Sequence, residues 1–278
     1  MSASERKLIN DPNDVVDESL QGFVALHPNL ALLQGHRVVV RRGGADAQKV
    51  SLVCGGGSGH EPVFAGFVGK GMLSGAVAGS IFASPPASAG LAALKACHSP
   101  AGTIQFIINY TGDRLNFGLA VERAQKEGVG PVEVVTVGED CALAAVDRTA
   151  GRRGLAGSLL VLKVAGALAE GGEALRDVAG KAREVAANTG TIGVSLSSCC
   201  VPGAGPIFKL GKEEMELGLG VHGEPGVKRC KAGTAKEVVA AMLSHMTNPD
   251  SATHLQLNEG SLRVTLRHIL PYRPGVNY

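Results

Sequence analysis

An α/β fold, with a mostly parallel sheet flanked by helices, is the class this sequence predicts. Three observations lead there. Short apolar runs alternate with stretches of helical spacing from about residue 36 to residue 200, the order produced when helices cross back over a sheet. Glycine supplies 39 of the 278 residues without a collagen period, about twice the usual share. Aromatic residues are only 4% and tryptophan is absent, a composition that suits strands ending in tight loops around a ligand. Apolar residues reach 45% against 19% charged, with a mean hydropathy of +0.14, so a large core can be buried.

The runs at 37–40 (RVVV), 50–54 (VSLVC), 103–109 (TIQFIIN), 131–137 (PVEVVTV) and 191–196 (TIGVSL) are short and rich in β-branched residues, which predicts buried strands. Residues 86–97, 114–127, 154–170 and 174–188 have helical spacing. In the last of these, Leu175, Val178, Ala179, Ala182, Val185 and Ala186 recur at three- and four-residue steps and make one apolar face. Another helix is predicted at 234–246, where Thr234 and Glu237 form a T-x-x-E capping box. No internal repeat or low-complexity linker interrupts the chain. After Asn248 it becomes polar and turn-rich, passes one strand-like run at 263–266, and ends in RHILPYRPGVNY, which has two prolines and no amphipathic face.

Charge and cysteines narrow the function. With 27 Lys+Arg against 25 Asp+Glu the formal charge is +2, and no basic surface argues for a nucleic-acid or membrane partner. The six cysteines form no CxxC pair, and the start of the chain (MSASERKLIND) has no apolar signal region, so reduced thiols and a cytoplasmic setting are expected. The apolar stretch 154–169 is too short and interrupted for a membrane span.

Three segments could carry chemistry. The first, CGGGSGHEP at 54–62, follows a strand. Its glycines allow close backbone approach to a ligand, although a tight turn with a surface histidine would explain it equally. It is not a Walker A loop, and its glycine register fails the dinucleotide fingerprint, which argues against an NAD-dependent oxidoreductase. The second, NYTGDRLNFG at 109–118, crowds Asn109, Thr111, Asp113 and Asn116 at a strand end, where open α/β sheets bind ligands; helix N-capping is the plainer role for Asp113. The third, LGLGVHGEPG at 217–226, sets His222 among four glycines, where it could be a nucleophile, a base or a metal ligand. His60, Glu61, His222 and Glu224 lack the spacing of a zinc site, and no metal is expected. Cys199 and Cys200 have no neighbouring cation to activate them and are expected to be structural.

Together, GGGSGHEP (55–62), NYTGDRLNFGLA (109–120), GRRGLAG (151–157), KVAGALAE (163–170), GVSLSSC (193–199) and ELGLGVHGEPG (216–226) resemble, in order, the substrate-binding (DhaK-type) domain of the dihydroxyacetone kinase family, closest to its animal triokinase/FMN cyclase branch. The resemblance runs from about residue 6 to about 262. It implies a two-lobed domain of mostly parallel sheets flanked by helices: a first lobe at 1–190, a partial second lobe at 191–262 carrying the histidine, and a divergent tail at 263–278. It also implies a homodimer that binds dihydroxyacetone or glyceraldehyde. By the resemblance, His222 adds covalently to the substrate carbonyl, Asp113 takes the proton of the attacking hydroxyl, His60 hydrogen-bonds the substrate, and Gly57, Ser58 and Gly59 line the pocket. ATP with Mg is the co-substrate pair of the full-length family, bound by a domain not found in this chain, which itself binds no cofactor. The expected activity is ATP-dependent phosphorylation of dihydroxyacetone, with a non-catalytic ketose-binding module or an inactive truncated isoform as the alternative.

Two departures stand out. The family places a substrate-contacting lysine where this chain has Ile108, after a shortened turn at HSPAGTIQ. That costs a charged hydrogen bond of ~1.5–3 kcal/mol, unless the strand register has slipped. The resemblance also fades near Leu262, before the second lobe would be complete.

Overall fold

The computed structural model describes residues 8–143, 151–204 and 206–256; the strand-like run at 263–266 and the tail lie outside them. In order, the elements are α1 (Val15–Leu26), β1 (Leu30–Leu32), β2 (Val38–Arg41), β3 (Ser51–Ser58), a 3-10 turn (Ala65–Phe67), β4 (Gly75–Ile81), α2 (Ala87–Ala96), β5 (Thr103–Ile108), α3 (Thr111–Lys126), β6 (Val132–Val137), α4 (Ser158–Glu170), α5 (Leu175–Ala187), β7 (Val194–Ser195), β8 (Glu214–Leu217), β9 (Lys228–Lys231) and α6 (Ala235–Thr247).

Six strands form one sheet in the order β1-β2-β4-β3-β5-β6. β4, β3, β5 and β6 run parallel, and β1 and β2 add an antiparallel edge. The chain leaves β3 towards β4 on one side and returns to β5 on the other. The C-terminal end of β3 is therefore the switch point, the place where open α/β sheets hold ligands.

Alternation along the strands builds two cores. Val53, Val77 and Ile107 face α2 and α3, packing with Ala93, Leu94, Phe117 and Ala120. Their neighbours Leu52, Cys54, Ala76, Phe106 and Ile108 face the other way, onto α1, α4 and α5, meeting Leu20, Val161, Leu162, Val178 and Ala182. Strands buried on both faces read as near-continuous apolar runs, which is why β3 and β5 are plain in the sequence; β6, at the sheet edge, shows instead through its β-branched residues. The capping box at Thr234 forms as predicted, with Thr234 accepting from the Glu237 backbone N–H.

β7, β8 and β9 make a second, entirely antiparallel sheet over a small cluster of Ala142, Ile192 and Leu217, so the parallel arrangement belongs to the large sheet. β8 (EMEL) is charged at every second place and β9 (KRCK) at three of its four, and their pairing comes from the hairpin rather than from apolar runs. β4 (GAVAGSI) was also not legible. Its glycines answer close approach: a Cβ on Gly75 would lie 2.6 Å from Cys97 Sγ, and one on Gly79 2.0 Å from Ala83 O.

Candidate active site

Three chain segments meet at the C-terminal ends of the parallel strands. The first leaves β3. Gly57 packs against the next crossing of the chain, where a Cβ would stand 2.7 Å from Ala83 N, and Ser58 donates its hydroxyl to Gly79 O at 2.8 Å. Gly59 has φ +102°, and a Cβ there would strike the Phe82 ring at 2.7 Å. These residues thus form a floor packed under Phe82, and the next side chain, His60, stands over it. Phe82 itself has φ 55°, a left-handed conformation that is strained for a bulky residue. The Phe82 ring stacks on His60, centroids 4.9 Å apart at 21°.

The second segment leaves β5. The backbone N–H of Asn109 continues the ladder to Val137 O, with Ile108 opposite Val137. The Ile108 side chain is buried in the α4/α5 core, where a Cβ on Gly154 would touch it at 2.5 Å. The position brings no cation to the site. α3 begins at Thr111 with Tyr110 as its N-cap, three residues earlier than the spacing predicted, so the capping role for Asp113 is not what the structure uses. Asp113 lies inside the first turn, 7% exposed, and accepts a hydrogen bond from Ser84 Oγ at 2.7 Å. Burial raises its carboxyl above the usual range, partly offset by the Ser84 hydrogen bond and the nearness of His222. The side chain of Tyr110 puts its ring edge against His222, centroids 5.0 Å apart; its hydroxyl is buried with no partner among the described residues.

The third segment is the loop between β8 and β9. Gly226 lets it fold tightly, since a Cβ there would lie 2.3 Å from Leu217 O, and Gly220 N–H donates to Glu224 O at 2.8 Å. At its tip the Glu224 carboxylate grips His222 twice, accepting from the backbone N–H at 3.0 Å and facing Nδ1 at 2.9 Å. Burial by itself would raise the carboxyl of Glu224, but these hydrogen bonds hold it at about 2. An ionised Glu224 requires the proton on Nδ1 of His222, which leaves the lone pair on Nε2. That Nε2 meets Nε2 of His60 at 3.0 Å, so in the neutral pair His60 is the donor. His60 is held neutral, its pKa lowered to about 4 first by burial and then by the nearness of the titratable His222 ring.

His60 and His222, 162 residues apart, are therefore in direct contact, with Asp113 within electrostatic reach. Among the described residues no three His, Cys, Asp or Glu side chains are grouped to hold an ion. Phe82, Ser84 and Tyr110 escaped sequence reasoning because each acts only through contacts made on folding: ring contacts for Phe82 and Tyr110, and a hydrogen bond to Asp113 for Ser84. Glu224, weighed there only as a metal ligand, acts instead on the histidine two residues before it.

The Dak1 domain matches residues 21–266. The chain belongs to this dihydroxyacetone kinase family. It is 52% identical over 262 residues to triokinase/FMN cyclase of Homo sapiens, covering 93% of this chain and 45% of that protein. It is 43% identical to the dihydroxyacetone-binding subunit DhaK of the PEP-dependent dihydroxyacetone kinase of Escherichia coli K12, covering 85% of this chain and 67% of that one. The crystal structure of the dihydroxyacetone kinase of C. freundii superposes with a TM-score of 0.81 at 40% identity, over 88% of this chain and 45% of that chain. This Dak1 chain thus spans a little under half the length of the triokinase/FMN cyclases it matches, and its α/β architecture is that of the family.

Proposed function

We propose that this chain is the substrate-holding part of a dihydroxyacetone kinase, in which His222 captures dihydroxyacetone or glyceraldehyde through its carbonyl. The observation that carries this reading is the Glu224–His222–His60 arrangement, in which a carboxylate fixes the Nδ1–H tautomer and turns the Nε2 lone pair towards the switch point. In the proposed step that lone pair forms the N–C bond while the C=O π pair moves onto oxygen. His60 transfers its N–H hydrogen bond from His222 to that oxygen. The oxygen gains a proton from solvent, and the Nδ1 proton leaves through Glu224, so the adduct is a neutral hemiaminal. Glycerol, which has no carbonyl, is excluded by this chemistry.

Asp113 is the proposed base for the terminal hydroxyl, and its raised pKa makes it a stronger base than an exposed carboxylate. The floor of Gly57, Ser58 and Gly59 is the proposed pocket wall. ATP with Mg is the proposed phosphoryl source, consistent with a C. freundii relative solved in complex with AMP-PNP and Mg2+. The glycine turn after β3 is an unsuitable phosphate cradle, because Phe82 and Ala83 fill the space that its missing side chains leave. The donor nucleotide therefore belongs to another domain or subunit. Division into lobes at 1–190 and 191–262, homodimer formation and a cytoplasmic setting belong to the same proposal, the last supported by six free cysteines.

Intact-protein mass spectrometry tests the capture step. Dihydroxyacetone is expected to add one substrate mass to the chain and none to His222→Ala; an equal gain on both, or none on either, overturns it.

A second reading, a ketose-binding module without catalysis, draws on a different likeness. The dihydroxyacetone kinase operon co-activator DhaQ superposes with a TM-score of 0.77 at 29% identity, over 83% of this chain and 70% of that one. ATP consumption that depends on dihydroxyacetone, measured with the chain mixed with an ATP-binding domain of the family, separates the two readings.

A further inference from the structure

The GRRGLAG segment, singled out by sequence, touches neither His60 nor Asp113 with its charged groups, yet its two arginines are tightly held. Arg152 turns towards the chain just after β6, donating from Nε to Asp140 O at 2.9 Å, while its own carbonyl accepts from Asn109 Nδ2 at 2.5 Å. Arg153 turns the other way. Its Nε donates to Asp140 Oδ2 at 2.6 Å, Nη2 to Gly218 O at 2.8 Å, and Nη1 to Pro225 O at 3.5 Å.

Asp140 is a fixed anchor: it is 1% exposed, its second oxygen accepts from Ala142 N at 2.8 Å, and its own N–H donates to Arg153 O at 3.0 Å. Gly218 and Pro225 stand at the two ends of the loop that carries His222. One guanidinium fork therefore ties both ends of that loop to the C-terminal end of the large sheet. Gly220 leaves room for it, since a Cβ there would lie 2.6 Å from Arg153 Nη1 and 2.0 Å from Glu224 Oε2. We propose that Arg153, anchored on Asp140, is a positioning residue that sets the depth at which the loop presents His222 to His60.

This inference rests on the capture reading for its functional consequence, but its structural content is separate. Lysine could keep the charge against Asp140, but its donors radiate from one nitrogen, whereas three separate guanidinium nitrogens reach Asp140, Gly218 O and Pro225 O. Arg153→Lys and Arg153→Ala are therefore compared with the wild-type chain in two measurements: the dihydroxyacetone concentration that gives half-maximal adduct by intact mass, and hydrogen exchange across 218–226.

Both variants are expected to lose protection in that loop while α2 and α3 keep theirs. The half-maximal concentration is expected to rise on the order of a hundredfold in Arg153→Ala, the usual cost of a misplaced reactive group. Millimolar guanidinium is expected to restore part of the loss in that variant, a rescue that a general packing defect would not show. Should Arg153→Ala fail to fold with Asp140 left unpaired, Arg153→Lys decides, since it keeps the buried charge compensated. Wild-type capture and wild-type loop protection in Arg153→Lys would overturn the proposal. If the wild-type chain itself forms no adduct, the capture reading fails, and loop exchange alone then decides for or against Arg153.

Discussion

Glu224→Gln isolates the carboxylate that clamps His222, because it keeps the shape and removes the charge. The carboxylate accepts from the backbone N–H of His222 and faces Nδ1, and an amide can satisfy only one of these two donors with its single oxygen. Holding Glu224 at about 2 instead of 4.5 corresponds to roughly 3 kcal/mol at 1.36 kcal/mol per pKa unit. The side chain is 36% exposed, so solvent screening reduces this to about 1–2 kcal/mol. For a carboxyl whose pKa is lowered on folding, the stabilisation is fully present above the unfolded value and lost as pH falls towards the folded one. Urea denaturation at about pH 7, 5 and 3 is the assay. The wild-type chain is expected to exceed Glu224→Gln by about 1–2 kcal/mol at the two higher values, with the gap closing at the lowest. Equal stability at pH 7, or a gap that does not shrink on acidification, would refute the reasoning.

Asp113 has the opposite sign. Its carboxyl is raised by burial, so ionising it costs the native state, and stability falls as pH rises from the unfolded value through the folded one. Asp113→Asn is therefore expected to match or exceed the wild-type chain in denaturant midpoint at pH 7, while losing phosphoryl transfer to dihydroxyacetone when an ATP-binding domain of the family is added. A clear loss of stability at neutral pH would contradict this. Gly57→Ala places a Cβ 2.7 Å from Ala83 N, where backbone must yield; about 1–3 kcal/mol of stability and the stacking of Phe82 on His60 are expected to be lost, read by thermal melting and by the histidine resonances. Thr234→Ala removes the cap of α6 and is expected to cost about 1 kcal/mol in urea denaturation, with the site unaffected.

Much of the site was already marked in the chain. Glycines at 57 and 226 are demanded by close backbone approaches, and Gly59 by its positive φ under the Phe82 ring; such demands are local enough to appear as motifs. Helices α2, α4, α5 and α6 lie within a few residues of their predicted ranges because one apolar face repeats at helical spacing. Asp113 shows the limit: placed after a glycine and before a helical pattern it resembled a cap, yet α3 starts earlier and Ser84, 29 residues upstream, takes up its oxygen.

By itself, then, the sequence determined the mostly parallel large sheet and marked three loops, two of them carrying histidines, as candidates for a site, since strand burial and tight turns are written in neighbouring residues. Only the tertiary structure decided that His60 meets His222, that Phe82 and Tyr110 surround them, that Ile108 faces the core, and that Arg153 reaches across to Gly218 and Pro225. Those contacts join residues far apart in the chain, and their geometry is set by how two sheets and their helices pack. No local pattern carries that information.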